Sequence, residues 1–234
     1  LIGLFVATVS FGALLYLAAL GELLAEKAGV LNLGVEGMMA IGAVTGFIAG
    51  VELENPWAAL AVAMVSGAAL ASVHGFFTVV LGAEQVVSGL SLTILGVGLA
   101  AYLGKNYVGL PPGAELKPVQ WSGLSDLPWV GPIFFKQAPI VYLALLMGVA
   151  VSLVLTNTRL GLALRAAGES ASSTDLAGHS VLGLRLSAVA AGGALAGASG
   201  AYLTLSLTPQ WAEGLTGGRG WIAVALVIFG AWRP

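Results

Sequence analysis

Charge is scarce in this chain. Its 234 residues hold 9 Lys and Arg and 11 Asp and Glu, or 9% charged, against about 25% in an ordinary soluble domain. So few charges cannot solvate a globule of this length, which excludes a soluble enzyme and a disordered chain. Neither sign dominates. The net charge is −2, leaving no basic face to hold a phosphate backbone, so no nucleic-acid partner is expected. Cysteine is absent, which removes disulfides and thiolate metal sites. The histidines are His74 and His179 alone; two are too few for a histidine-built metal centre, and neither a metal nor a cofactor is expected. No phosphate-binding loop of the form GxxxxGKS or GxxxxGKT is present. The nearest stretch, Gly98 to Lys105, has the wrong spacing and is followed by Asn106. No GxSxG or HExxH motif stands in a polar loop, so the chain reads as non-enzymatic.

Apolar residues fill the chain instead, at 58%, and mean hydropathy is +0.97. A bilayer-crossing helix needs about 20 mostly apolar residues. Six uncharged runs approach or pass that length: Leu1 to Gly21, Gly37 to Val51, Asn55 to Ala83, Gln85 to Gly104, Gln137 to Asn157 and Leu186 to Ala212. A seventh, Gly220 to Trp232, is cut off by the end of the chain. The second run is short, and Ala28 to Leu33 is expected to extend it backward. The expected fold is all-α, a polytopic transmembrane bundle of about seven spans. The chain begins at Leu1 and stops inside an apolar segment, and so reads as a C-terminally truncated fragment of a longer polytopic protein.

The connecting segments differ. Val51 to Pro56 and Leu81 to Gln85 are tight turns. Residues 104–137 form a long loop with five prolines and exposed-type aromatics (Trp121, Trp129, Phe134, Phe135), where proline forbids regular helix. Residues 157–185 are polar and arginine-rich. Thr208 to Arg219 is Gly-rich and irregular. Alternating seven spans puts Lys27, Arg159, Arg165, Arg185 and Arg233 on one side and Lys105, Lys117, Lys136 and Arg219 on the other. The first side, with the densest arginines, is taken as cytoplasmic.

Small residues repeat at four-residue intervals: Gly42, Gly46 and Gly50; Gly67, Ala71 and Gly75; Gly193, Gly197 and Ala201. Such stripes let helices approach closely in lipid. Hydroxyls within the runs, such as Ser66, Ser72, Ser91 and Thr93, are expected to bond their own helix backbone. His74 is the one ionisable side chain well inside a run, and is read as a hydrogen-bonded structural residue rather than a proton relay. Ion-coupled carriers place ionisable groups in the membrane. Here the carboxylates stand at run boundaries, with Glu36 and Glu84 nearest an apolar interior.

The stretch Ala25-Glu26-Lys27-Ala28-Gly29-Val30-Leu31-Asn32-Leu33-Gly34-Val35-Glu36-Gly37-Met38-Met39 resembles the second-span motif of membrane subunits of bacterial ABC importers, most of all the nucleoside and simple-sugar permeases. The resemblance continues, in order, through Gly82–Leu90, Gly123–Pro128 with Gly131-Pro132, Thr158–Leu162 with Arg165–Glu169, Gly217–Ala223 and Phe229–Pro234. Where relatives usually read Glu-Asn-Pro, Glu169 is followed here by Ser170, Ala171, Ser172, Ser173 and Thr174. The resemblance implies one permease domain over 1–234, with 104–137 as its outer loop and 157–185 as its cytoplasmic coupling region. It also implies a multi-pass place in the bacterial plasma membrane among lipid, with ATP hydrolysis on a separate ABC ATPase subunit. A binding protein delivers substrate outside, and a second permease subunit completes a homo- or heterodimer. Nucleosides are the expected substrate; simple sugars and branched-chain amino acids are alternatives, and an ion-coupled carrier is a different class.

Asn32, Glu36, Gln85, Ser88, Ser91 and Thr93 are the candidate substrate-pathway residues, because a neutral solute needs hydrogen-bonding groups; each also suits a helix-capping role. Arg159, Arg165, Glu169, Asp175, Gly178 and His179 are the candidate ATPase-coupling residues. A rigid coupling helix is expected over Glu169 to His179, capped by Ser172 or Ser173, with Asp175 in its first turn and Gly178 ending it. Finally, Glu36-Gly37-Met38-Met39-Ala40 and Arg219-Gly220-Trp221-Ile222-Ala223 share a pattern of charge, glycine, two bulky apolar residues and alanine. Each opens a span after a Gly-containing stretch. They enter the membrane from opposite faces in the topology above, so an inverted repeat is expected, with Gly29 to Gly34 and Gly214 to Gly218 as matching non-helical breaks.

Overall fold

The computed structural model describes residues Leu1–Arg233; Pro234, the last residue of the closing motif, lies outside the described residues. Among those residues the fold is helical and strand-free. Six helices are long and apolar enough to cross a membrane, so the chain is a multi-pass membrane bundle. They are α1 (Ile2–Lys27), α2 (Val35–Leu53), α3 (Pro56–Gly75, prolonged by a π-turn Phe76–Val80), α4 (Gln85–Gly104), α6 (Pro139–Asn157) and α9 (Val181–Tyr202, prolonged by a π-turn Leu203–Leu207). Between them lie α5 (Val130–Phe134) in the long loop and α7 (Arg159–Glu169) and α8 (Ala171–Leu176) in the arginine-rich segment, and α10 (Arg219–Phe229) closes the chain.

Local chemistry sets the helix starts. Asn55 accepts from the backbone of Trp57 and Ala58 just before Pro56, Glu84 from Val86 and Val87, Thr158 from Gly161 and Ser180 from Gly183. Each side chain satisfies amides that have no partner within the helix.

The small-residue stripes converge on α9. A Cβ on Gly42 of α2 would lie 2.5 Å from the Gly197 Cα, and one on Gly67 of α3 would lie 2.9 Å from the same atom. Gly46 meets the Ala201 Cβ at 3.0 Å by the same measure. Helices α2 and α3 therefore cross α9 backbone to backbone, which leaves α2 the most buried of the six. The bundle has two ends. The long loop packs at one, where the Leu116 amide bonds the Leu205 carbonyl at 2.8 Å. Helices α7 and α8 lie at the other, beside the C-terminus of α1.

Two sequence expectations are corrected here. Ala28 to Leu33 does not extend the second span backward. The chain leaves α1 at Gly29, whose φ of +85° only glycine adopts without strain, and α2 starts at Val35. The seventh apolar run is not a seventh spanning helix: α10 has 11 residues, about 16 Å at 1.5 Å per residue, roughly half the hydrocarbon core. Thr208 to Gly218 is irregular, as expected. It passes inward from the long-loop end, with Trp211 packed on Gly104 and Thr216 buried. Together this irregular descent and the short α10 make one broken crossing.

Candidate functional site

Two non-helical breaks are embedded in the bundle, Ala28–Gly34 between α1 and α2, and Thr208–Gly218 before α10. Irregular backbone at membrane depth survives only where protein or water satisfies its polar groups. The first break is satisfied by side chains. The Leu31 amide donates to Gln85 Oε1 at 2.8 Å, and Gln85 Nε2 donates to the Gly29 carbonyl at 3.3 Å. The Asn32 amide donates to Glu22 Oε1 at 2.8 Å. Asn32 Oδ1 in turn accepts from Gly34 at 3.0 Å, closing a local turn. Thr93 Oγ1 donates to the Leu33 carbonyl at 2.8 Å. His74 sits between break and helix: Nε2 lies 3.0 Å from the Leu31 carbonyl and Nδ1 lies 3.0 Å from Ser88 Oγ. A carbonyl only accepts, so Nε2 carries the proton, and in the neutral ring Nδ1 takes the Ser88 hydroxyl.

Glu36 joins the first break to the second. Its side chain is buried. Oε1 accepts from Gly218 at 2.9 Å and Oε2 from Gly220 at 2.6 Å. The carboxylate thus lies in the first turn of α2 and caps α10, at two positive helix ends. Gly220 leaves the room: a Cβ there would lie 2.5 Å from the Glu36 Cα. Gly37 packs against α4 in the same way, 2.5 Å from the Leu92 carbonyl.

The structure therefore brings Asn32, Glu36, Gln85, Ser88 and Thr93 around the first break, with Asn32 and Glu36 buried and Gln85, Ser88 and Thr93 half-buried. Ser91 stands apart, exposed and bonded to its own helix at the Val87 carbonyl, 2.8 Å away. Ser72 likewise bonds Ala68. Thr93 reaches across to the break rather than to its own helix, the opposite of the expectation for it. Ser88 and Ser91 also line, with Val73, Phe77, Glu84 and Leu95, an open crevice of about 460 Å³ between α3 and α4.

At the opposite site, the expected coupling helix over Glu169 to His179 divides differently. The longer helix, α7, ends at Glu169, and α8 has six residues. Ser170 is extended and takes the cap position, accepting from Ser173, two residues before Ser172 and three before Ser173, the caps expected from the sequence. Asp175 is exposed and stands in the last turn of α8, not in a first turn as expected, because the helix starts at Ala171 and ends at Leu176, and Gly178 follows its end with φ +82°. Arg159, Glu169 and His179 border a groove of about 630 Å³ between α7 and α8, floored by Leu162, Ala163 and Ala166. Arg165 points to the other face of α7, into a small crevice with Glu26 and Trp232, and Trp232 Nε1 donates to Glu26.

Two residues that the sequence reading left out belong to these sites. Glu22 holds Asn32, and Arg185 donates from Nε to the Ala28 carbonyl at 3.1 Å and from Nη2 to the Ala167 carbonyl at 3.0 Å. Their one signal was charge at the edge of an apolar run.

Broken helices that meet inside a membrane bundle are a feature of transport proteins. The chain belongs to the family described as branched-chain amino acid transport system / permease component, whose pattern matches residues 4–234. Members are ABC-transporter permeases, non-catalytic membrane subunits that work with an ATPase and a substrate-binding protein. Its relatives include a putative glucose ABC transporter permease protein, TsgC13, of Haloferax volcanii, 45% identical over 99% of this chain and 71% of the relative. The guanosine ABC transporter permease protein NupQ of Bacillus subtilis is 31% identical over 97% of this chain and 75% of its own. The nucleoside ABC transporter permease protein NupC of Lactococcus lactis is 30% identical over 94% and 73%. No solved structure matches the chain.

Proposed function

We propose that the chain is the translocation subunit of an ATP-driven importer of a neutral, hydroxyl-bearing solute, a nucleoside in the first place. It pairs in the membrane with a second permease subunit, a second copy or a related chain. The long-loop end faces outward toward the binding protein and the arginine end faces the ATPase. The observation that carries this reading is the contact between the end of α7 and the break Ala28–Gly34, where Gly168 packs on Gly29 and Arg185 bonds the carbonyls of Ala28 and Ala167: the helix that borders the groove touches irregular backbone inside the membrane. Arg159, Glu169, Asp175 and His179 then contact the ATPase, and Gly178 ends the platform.

A neutral solute fits what surrounds the breaks. Asn32, Glu36, Gln85, Ser88 and Thr93 hold the breaks in shape, while the crevice beside them offers Ser91 and the Phe77 ring, a hydroxyl and an aromatic face. A simple sugar is the second reading, favoured by the relative named for glucose, which shares more of its sequence with this chain than the two named for nucleosides. Uptake by the full transporter in cells decides. Saturable uptake of guanosine that stops when the ATPase loses its catalytic glutamate is the expected result, and competition by glucose but not by nucleosides selects the sugar. Uptake that persists without the ATPase and follows an ion gradient overturns the importer reading.

A further inference from the structure

Arg185 lies one turn into α9, yet among the described residues its guanidinium bonds neither its own helix nor a carboxylate. Nε donates to the carbonyl of Ala28, the C-cap of α1, at 3.1 Å, and Nη2 donates to the carbonyl of Ala167, in the last turn of α7, at 3.0 Å. Its charge therefore stands at two helix C-termini, where unpaired carbonyls and the helix dipole favour a cation. A planar fork fixes the spacing between two acceptors, which the single ammonium of lysine does not. Backbone packing closes the same joint. A Cβ on Gly168 would lie 3.1 Å from the Gly29 amide nitrogen, and one on Gly29 would lie 3.0 Å from the Gly168 Cα. The end of α7 and the first turn of the break are thereby clamped together.

From that turn the contacts run inward without a gap. Leu31 is held by Gln85 and His74, Asn32 by Glu22 and Leu33 by Thr93. Two residues past the break, Glu36 holds the start of α10 through Gly218 and Gly220. We propose that Arg185 is a positioning residue for transport: it fastens the ATPase-facing helix α7 to the break Ala28–Gly34, so that movement of α7 on nucleotide binding moves the break and, through Glu36, the start of α10. This rests on the importer reading above and names how the two ends of the site are coupled.

The test uses the full transporter, reconstituted with its ATPase and binding protein in liposomes. Arg185→Gln is expected to keep ATPase association and basal ATP hydrolysis near the unmodified level, while solute moved per ATP falls about tenfold. Arg185→Lys keeps the charge at both helix ends and is expected to fall less. Gly168→Ala wedges the same joint from the other side with Arg185 intact, and is expected to reproduce the loss, which keeps the test alive should Arg185→Gln fail to insert. The ratio of solute to ATP is the discriminating readout, because damage that is only structural lowers transport and hydrolysis together. A ratio unchanged in Arg185→Gln, or a proportional loss of both activities in Arg185→Gln and Gly168→Ala, overturns the proposal. Failure of the unmodified chain to recruit any ATPase is a separate result that removes the importer reading itself.

Discussion

Glu36 shows why one carboxylate in an apolar protein need not be a charge-carrying site. Each of its oxygens accepts a backbone amide, from Gly218 and Gly220, and both helix starts beside it favour negative charge. Glutamine keeps the shape but offers one carbonyl oxygen and turns an NH₂ toward the other amide. Glu36→Gln is therefore expected to destabilise by about 1–3 kcal/mol, the cost of an unsatisfied buried donor. Glu36→Ala strands both donors and costs more. Thermal unfolding of the detergent-solubilised protein reads the order. Ser91 supplies the contrast. It is exposed and bonds only its own helix, so Ser91→Ala is expected to shift stability by less than about 0.5 kcal/mol. A transport defect in Ser91→Ala at unchanged stability would then report on solute rather than on folding.

At the scale of helices, α9 is where the bundle is most exacting. Gly197 receives both Gly42 of α2 and Gly67 of α3, and no side chain fits between such backbones. Gly42→Ala is expected to force α2 from α9 at about 1–3 kcal/mol, the usual cost of overpacking. Gly12→Ala and Gly98→Ala, whose added methyls meet nothing within 4 Å, are expected to be silent or slightly stabilising through better helix propensity. If all three variants melt alike, the close crossing is wrong. The four-residue glycine spacing made these contacts legible as a pattern. Which stripe met which was not legible, because spacing along one helix says nothing about its partner.

For the whole molecule, the alternation of six spans places Ser122 and Ser172 at opposite ends, and both are exposed. With no native cysteine to interfere, Ser122→Cys is expected to react with an impermeant thiol reagent on intact cells, and Ser172→Cys to react only after the membrane is opened. The reverse labelling would invert the proposed orientation. At this scale too the two breaks are both non-helical and lead in from opposite ends of the bundle, as the shared pattern around Glu36 and Arg219 anticipated. They meet through the Glu36 carboxylate, a contact between residues more than 180 positions apart that no local pattern encodes.

Composition and run length by themselves determined that this is a membrane bundle, because 20 charged side chains cannot solvate a soluble fold of this size and lipid admits only helices or closed barrels. Capping residues such as Asn55, Glu84 and Thr158 determined where helices begin, since that chemistry acts over three or four residues. Tertiary structure alone decided that the seventh run is half a crossing, that Thr208–Gly218 goes inward, and that Thr93, His74, Glu22 and Arg185 serve the backbone of a distant break. The reason is physical. A broken helix is stable in the membrane only if its loose amides and carbonyls find partners, and those partners come from whichever helices packing brings alongside.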